Sequence, residues 1–123
     1  MVQPLLLLCL RTTLEEWVVI RTDDVNTGFS PTNPKRGRPY LVTRVIGDPP
    51  ELIYLVPRTA SGWEGVPTPA RVIPELRDPG NFLLDPIPVD PVDLADAEIL
   101  RQLPEPYLTR VRERLNRYLM DLE

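Results

Sequence analysis

The sequence predicts a mainly β (α+β) domain, in which a small, strongly bent antiparallel sheet or barrel precedes a C-terminal amphipathic helix. Short runs of β-branched and aromatic residues recur at close spacing between residues 17 and 90, with turn residues between them. Sixteen prolines are scattered along the 123 residues, which favours many short elements with rigid connections. Apolar residues then recur at three- and four-residue intervals near the C-terminus, which is the period of a helix.

The first half of the chain is predicted to contain three strands. Trp17-Val18-Val19-Ile20 is rich in β-branched residues and indicates the first strand. Residues 22–39 are turn-forming nearly throughout, and a connection that long in a compact domain is usually functional or mobile. Residues 40–47 and 51–58 form the next two strands, and Gly47-Asp48-Pro49-Pro50 joins them as a hairpin.

The second half is predicted to contain shorter elements before the terminal helix. Residues 59–69 read as a loop, and Pro74 confines any strand at residues 70–76 to a sheet edge. The remaining segments are an extended edge segment at 82–90, a shorter helical or coil segment at 93–102, and the amphipathic helix at about 104–121.

Length and composition indicate a single globular domain that spans residues 1–123. The chain has no histidine and one cysteine, Cys9, which excludes an intramolecular disulfide and removes the commonest ligands of transition metals. We therefore expect no metal and no cofactor. The apolar run near the N-terminus is short and lacks a basic lead, so we expect a cytoplasmic protein without a signal peptide or membrane span.

The net charge of −4 conceals a basic stretch. Residues 30–47 carry four cations and no acid, whereas residues 85–98 carry five acids and no base. A local basic patch can bind nucleic acid even when the whole chain is acidic. Either this stretch contacts a phosphate, or it is a solvated turn that keeps the protein soluble.

The order of these elements resembles the MazF/PemK toxins of bacterial toxin–antitoxin systems. The resemblance rests on a long loop that ends in Gly37-Arg38-Pro39, a strand that begins Tyr40-Leu41-Val42, and a second strand that closes on "VPRTASG" (residues 56–62). It covers roughly residues 17–121, so residues 1–16 form an extension whose structure is left open. The family implies an SH3-like barrel, usually a homodimer, which cleaves single-stranded RNA without a metal and is inhibited by a cognate antitoxin protein.

The resemblance implies two catalytic residues, Arg38 and Thr59. When a 2′-hydroxyl attacks the adjacent phosphorus, charge grows on the phosphorane oxygens, and a guanidinium stabilises that charge with two parallel hydrogen bonds. The Thr59 hydroxyl can donate to a phosphate oxygen. We expect Arg38 to be a loop cation, whose removal leaves the stability nearly unchanged.

Four further residues are candidates for substrate binding. Lys35 would hold a flanking phosphate, Arg36 is the basic neighbour of Arg38, and Ser61 is the alternative to Thr59 as the hydroxyl donor. Trp63 either stacks on an unpaired base or folds onto the barrel.

Many family members also carry an acid in the long loop, where this chain has residues 33–36 without one. Asp23 and Asp24 either supply that carboxylate from further back or serve a turn, so the general base is left open.

A second class of function stays open at this point. The same barrel could belong to a non-enzymatic interaction protein, either a CcdB-like gyrase poison or a catalytically inactive relative. The acidic net charge, the missing loop acid and the absence of histidine favour this alternative. The spacing of Arg38 and Thr59 favours the ribonuclease.

Overall fold

A computed structural model describes residues 14–29, 32–60 and 65–121. The elements in chain order are β1 (Val18–Thr22), α1 (Asp24–Thr27), β2 (Arg38–Ile46), β3 (Leu52–Thr59), β4 (Val66–Thr68), β5 (Gly80–Phe82), β6 (Ile87–Val89), a 3-10 helix (Pro91–Leu94), β7 (Glu98–Gln102) and α2 (Tyr107–Asp121). The strands form one antiparallel sheet in the order β4-β5-β3-β2-β1-β7, and β6 pairs with a second stretch of β3. The sheet curls into a half-barrel, which confirms the predicted mainly β class with a C-terminal helix.

The three central strands are buried on both faces. In β1, Val18 and Ile20 belong to a first hydrophobic cluster on one face of the sheet, whereas Val19 belongs to a second cluster on the opposite face. Strands β2 and β3 alternate in the same way, because successive side chains of a strand point to opposite faces. Burial on both faces explains why these segments read as nearly continuous apolar runs rather than as alternating patterns. The three predicted strands and the hairpin between β2 and β3 are confirmed.

The predicted C-terminal helix is also confirmed. Its apolar stripe faces the sheet through Val111 and Leu115, which are buried in or beside the second cluster. Glu105, just before the helix, accepts hydrogen bonds from the hydroxyl and backbone N–H of Thr109 at 2.8 and 2.9 Å, and these bonds lower the pKa of its carboxyl group. No helix among the described residues has the length and apolar content that a membrane span requires.

The edge strand predicted at residues 70–76 is wrong. The Arg71 N–H donates to the Leu76 carbonyl and the Leu76 N–H donates to the Ile73 carbonyl, both at 2.8 Å, so the segment folds back on itself in turns. Ile73 and Leu76 are buried in the cluster that also receives Val111. The apolar residues that suggested a strand therefore anchor a loop.

Three shorter segments also differ from expectation. The predicted loop at 59–69 contains β4. The extended segment at 82–90 contains the last residue of β5 and the whole of β6, and these two strands pair with different parts of β3. The end of the segment at 93–102, predicted as helix or coil, forms β7 beside β1. Strands β4 to β6 have only three residues each, and three of the five residues of β7 are polar, so none of them carries a clear strand pattern.

Candidate functional site

A cleft of about 610 Å³ opens beside the junction of β1, β2 and β3. Its walls are Arg21, residues 35–39, residues 58–60 and residues 74–79. This lining includes six basic side chains and two acidic ones: Arg21, Lys35, Arg36, Arg38, Arg58 and Arg77 against Glu75 and Asp78. An otherwise acidic chain thus concentrates positive charge in one concave site, which is the arrangement that attracts phosphate groups.

Arg38 is not the loop cation that the sequence suggested. It begins β2, is only 7% exposed, and lies 4.9 Å from the centroid of the Phe29 ring. Its Nε and Nη2 donate to the two carboxylate oxygens of Asp24 at 2.7 and 3.0 Å, and its Nη1 donates to the Arg58 carbonyl at 3.3 Å. Arg38 is half of a buried ion pair, so we now expect its removal to destabilise the fold, contrary to the expectation for a loop cation.

Asp24 is fully buried and organises the basic stretch from within. Its carboxylate also accepts hydrogen bonds from the Tyr40 hydroxyl at 2.6 Å and from the Lys35 backbone N–H at 2.8 Å. The neighbouring Asp23 accepts from the Gly37 N–H at 2.8 Å, where Gly37 adopts a left-handed conformation (φ 64°) that favours glycine. Asp23 and Asp24 thus stabilise the turn that leads into β2, which is the second of the two roles considered for these residues in the sequence.

The buried network shifts the pKa of two of its members. Desolvation alone would raise the pKa of Asp24, but hydrogen bonds from Arg38, Tyr40 and Lys35 outweigh it and hold that pKa below its ordinary value. Burial and the hydrogen bond to Asp24 raise the pKa of Tyr40. The carboxylate of Asp24 is therefore charged, and the Tyr40 hydroxyl is a permanent donor at neutral pH.

Asp24 leads us to expect a specific loss of stability in acid. Its folded-state pKa lies below the ordinary value of 3.8, so its contribution is fully present above the unfolded-state pKa and is lost as the pH falls through the folded-state pKa. We expect the unfolding free energy, measured with denaturant at pH 7 and again at about pH 3 or below, to fall more in the parent chain than in Asp24→Asn. Equal losses in the two proteins would contradict this assignment.

Arg58 also lines the cleft, and hydrogen bonds fix its guanidinium there. Its Nε donates to the Thr68 hydroxyl and its Nη2 donates to the Asp78 carbonyl, both at 2.8 Å. Burial lowers the pKa of this guanidinium, and the charge of Asp78 partly opposes that shift. Arg58 was not among the predicted site residues, although an arginine in an otherwise apolar strand is a signal that could have indicated it.

Thr59 lies next to Arg38 in the cleft, as the proposed catalytic pairing requires. Arg38 donates to the carbonyl of Arg58, the residue immediately before Thr59. The Thr59 hydroxyl is buried and has no hydrogen-bond partner. Buried hydroxyls are nearly always satisfied, so an unpartnered one beside a cationic cleft is a candidate ligand contact.

The other substrate-binding candidates divide into two groups. Lys35 and Arg36 are exposed and line the cleft. Ser61 and Trp63 lie outside the described residues, so their predicted roles are not placed by the structure.

The cleft also contains two basic residues, Arg21 and Arg77, that were not among the predicted site residues. Arg21 of β1 donates from Nη2 to the Glu75 carbonyl at 3.0 Å and from Nη1 to the Glu98 carboxylate at 3.4 Å. Arg77 is exposed at the rim. No local signal marks these residues, because the turn at 69–79 reaches the cleft only in the folded chain.

The arrangement is suited to an anionic ligand. It combines exposed cations, a buried guanidinium and an unpartnered hydroxyl within one cleft. Among the residues that the structure describes, no three or more cysteine, aspartate or glutamate side chains are grouped so as to hold a metal ion. No protein-family model matches the chain, and no curated protein is significantly similar to it.

Proposed function

We propose that this chain is a metal-independent endoribonuclease of the MazF/PemK toxin type, which cleaves single-stranded RNA in the cationic cleft. The observation that carries the proposal is that six basic residues line the same cleft as Thr59, whose buried hydroxyl has no partner. The 2′-hydroxyl attacks the adjacent phosphorus, and the cleft stabilises the charge that develops on the phosphorane oxygens. The toxin acts in the cytoplasm as a two-fold homodimer and is inhibited by a cognate antitoxin.

The residues of the cleft have different roles in binding and catalysis. Lys35 and Arg36 are exposed and hold the phosphates that flank the scissile bond. Thr59 donates a hydrogen bond to a non-bridging oxygen after rotation about its Cα–Cβ bond, which gives the hydroxyl the partner that it lacks.

Arg38 acts from a fixed position. Its guanidinium has five N–H groups, of which two go to Asp24 and one to the Arg58 carbonyl. One N–H on each Nη atom remains for a phosphate oxygen. Asp24 thus orients the guanidinium of Arg38, and its negative charge neutralises much of the positive charge of that guanidinium.

One observation favours the alternative, a non-enzymatic interaction protein on the same fold. Because Asp24 engages Arg38 through both carboxylate oxygens, the arginine has a structural role that needs no substrate. An inactive relative could keep the pair for stability alone.

Incubation of the purified chain with long single-stranded RNA in EDTA separates these two functions. The proposal expects fragments with 2′,3′-cyclic phosphate and 5′-hydroxyl ends. Intact RNA after prolonged incubation, with binding retained, would support the interaction protein instead.

We expect RNA binding to depend on salt through a small number of phosphate contacts. Two to four neutralised phosphates give a slope of log affinity against log salt of roughly −1.5 to −3, since each contact on a single strand contributes about −0.7. Charge reversal at Lys35 and Arg36 should flatten this slope, measured with uncleavable 2′-O-methyl RNA. Reversal of Arg114 and Arg117, which are exposed on α2 and outside the cleft, is the matched control. A slope that is unaffected by the Lys35 and Arg36 changes would show that the basic stretch is only a solvated turn.

A further inference from the structure

A second residue that lines the cleft, besides Thr59, has a buried side-chain atom without a hydrogen-bond partner. Among the described residues, the buried side-chain polar atoms without a hydrogen-bond partner are Thr59 Oγ1 and Glu75 Oε2, and both residues line the cleft. A buried polar atom without a partner has lost the hydrogen bonds that it makes to water in the unfolded chain, which disfavours the folded state. The coincidence of two such atoms in one site points to a ligand that satisfies both.

Glu75 is held in place by its backbone and by one of its oxygens. Its carbonyl accepts from Arg21 Nη2 at 3.0 Å, and the neighbouring Leu76 anchors the turn in the core. The same Arg21 side chain runs beside Gly37, where an added Cβ would lie 3.4 Å from its Cδ. Arg21 therefore fixes Glu75 relative to the basic stretch.

The second oxygen of Glu75 is buried and has no partner, so it is the oxygen that a ligand would satisfy. Glu75 Oε1 lies 3.8 Å from Arg101 Nη2, whereas Oε2 has no partner. The terminal torsion of a glutamate side chain is soft, so the carboxylate can present an oxygen to the cleft at little cost.

A carboxylate in a phosphate-binding cleft requires a donor on the ligand. Alone it would repel a phosphate, so its position is favourable only if the ligand brings a hydrogen-bond donor close to that phosphate. In RNA the 2′-hydroxyl is such a donor, and DNA lacks it. A single free oxygen matches one hydroxyl better than it matches a base edge that offers two donors to a carboxylate.

We propose that Glu75 is the general base of the reaction, an inference that rests on the proposed ribonuclease function. Glu75 takes the proton of the 2′-hydroxyl as the 2′ oxygen forms its bond to phosphorus. The bond between phosphorus and the 5′ oxygen then breaks, and water protonates the departing 5′ oxygen. Thr59 and the cations hold the phosphate while Glu75 acts on the adjacent ribose.

Replacement of Glu75 by glutamine tests the assignment. A positioned general base contributes roughly 100- to 10,000-fold, so Glu75→Gln should lower kcat by that factor and change KM little. Glu98→Gln is the matched control, because Glu98 also contacts Arg21 but does not line the cleft. It should cleave at nearly the parent rate.

Chemical rescue distinguishes a base from a structural residue. In Glu75→Ala, added formate should restore cleavage in proportion to its concentration, while the thermal midpoint stays unchanged by formate. Cleavage by Glu75→Gln at the parent rate, or an alanine variant that formate does not rescue, overturns this inference and leaves the ribonuclease proposal intact. A parent chain that does not cleave RNA overturns both.

Discussion

Arg38→Ala is expected to destabilise the fold by about 3–5 kcal/mol, the usual cost of breaking a buried ion pair by removing one partner. Asp24 is fully buried, and the substitution leaves its charge without the two hydrogen bonds from the guanidinium. For a chain of this size the thermal midpoint should fall by roughly 10–20 °C. Denaturant unfolding of the parent and variant gives the difference in free energy directly.

Arg44→Ala is the matched control for this prediction. Arg44 lies on the same strand, β2, but is exposed, so its loss should change the unfolding free energy by no more than about 0.5 kcal/mol. A double-mutant cycle with Asp24→Ala should show strong coupling to Arg38→Ala. If Arg38→Ala were as stable as Arg44→Ala, the buried pair would not support the fold.

The stability effect also changes how activity data on Arg38 must be interpreted. An inactive Arg38→Ala protein is informative only under conditions in which it is folded. Arg38→Lys keeps the charge but cannot engage both oxygens of Asp24 in the same plane, so it should lose stability and activity together.

Thr59→Val is expected to separate activity from stability. Removal of a hydroxyl that stabilises developing charge should lower kcat by about 100- to 1,000-fold. The same hydroxyl has no partner in the folded chain, so its replacement by a methyl group should leave the unfolding free energy unchanged or raise it by about 1 kcal/mol. Single-turnover cleavage of RNA and denaturant unfolding measure the two effects.

Thr68→Val is a control that should change the unfolding free energy in the opposite direction. The Thr68 hydroxyl is buried, accepts from Arg58 Nε at 2.8 Å and donates to the Gly80 carbonyl at 3.1 Å. Its removal leaves the Arg58 guanidinium without a partner at Nε and should destabilise the fold. Thr59→Val with the parent cleavage rate would remove Thr59 from the mechanism, and equal destabilisation by both valines would show that the Thr59 hydroxyl is satisfied in solution.

The central strands and the terminal helix could be predicted from the sequence because their signals are local. Residues 17–20, 40–47 and 51–58 combine β-branched side chains with flanking turn residues, and residues 104–121 have a helical period. Each of these segments has a pattern that is clear without knowledge of its tertiary contacts. The short strands β4 to β7 lack such a pattern. They form because β7 pairs with the edge of β1, β5 and β6 pair with β3, and β4 pairs with β5.

The sequence alone also located the basic stretch, and it predicted that Arg38 precedes and Thr59 follows two strands that pair as a hairpin. Only the tertiary structure decided what those residues contact. Asp24 precedes Arg38 by fourteen residues and Glu75 follows Thr59 by sixteen, so no local pattern links them. Burial and hydrogen bonding depend on which distant segments the sheet brings together, and this is why a predicted loop cation became the buried partner of Asp24.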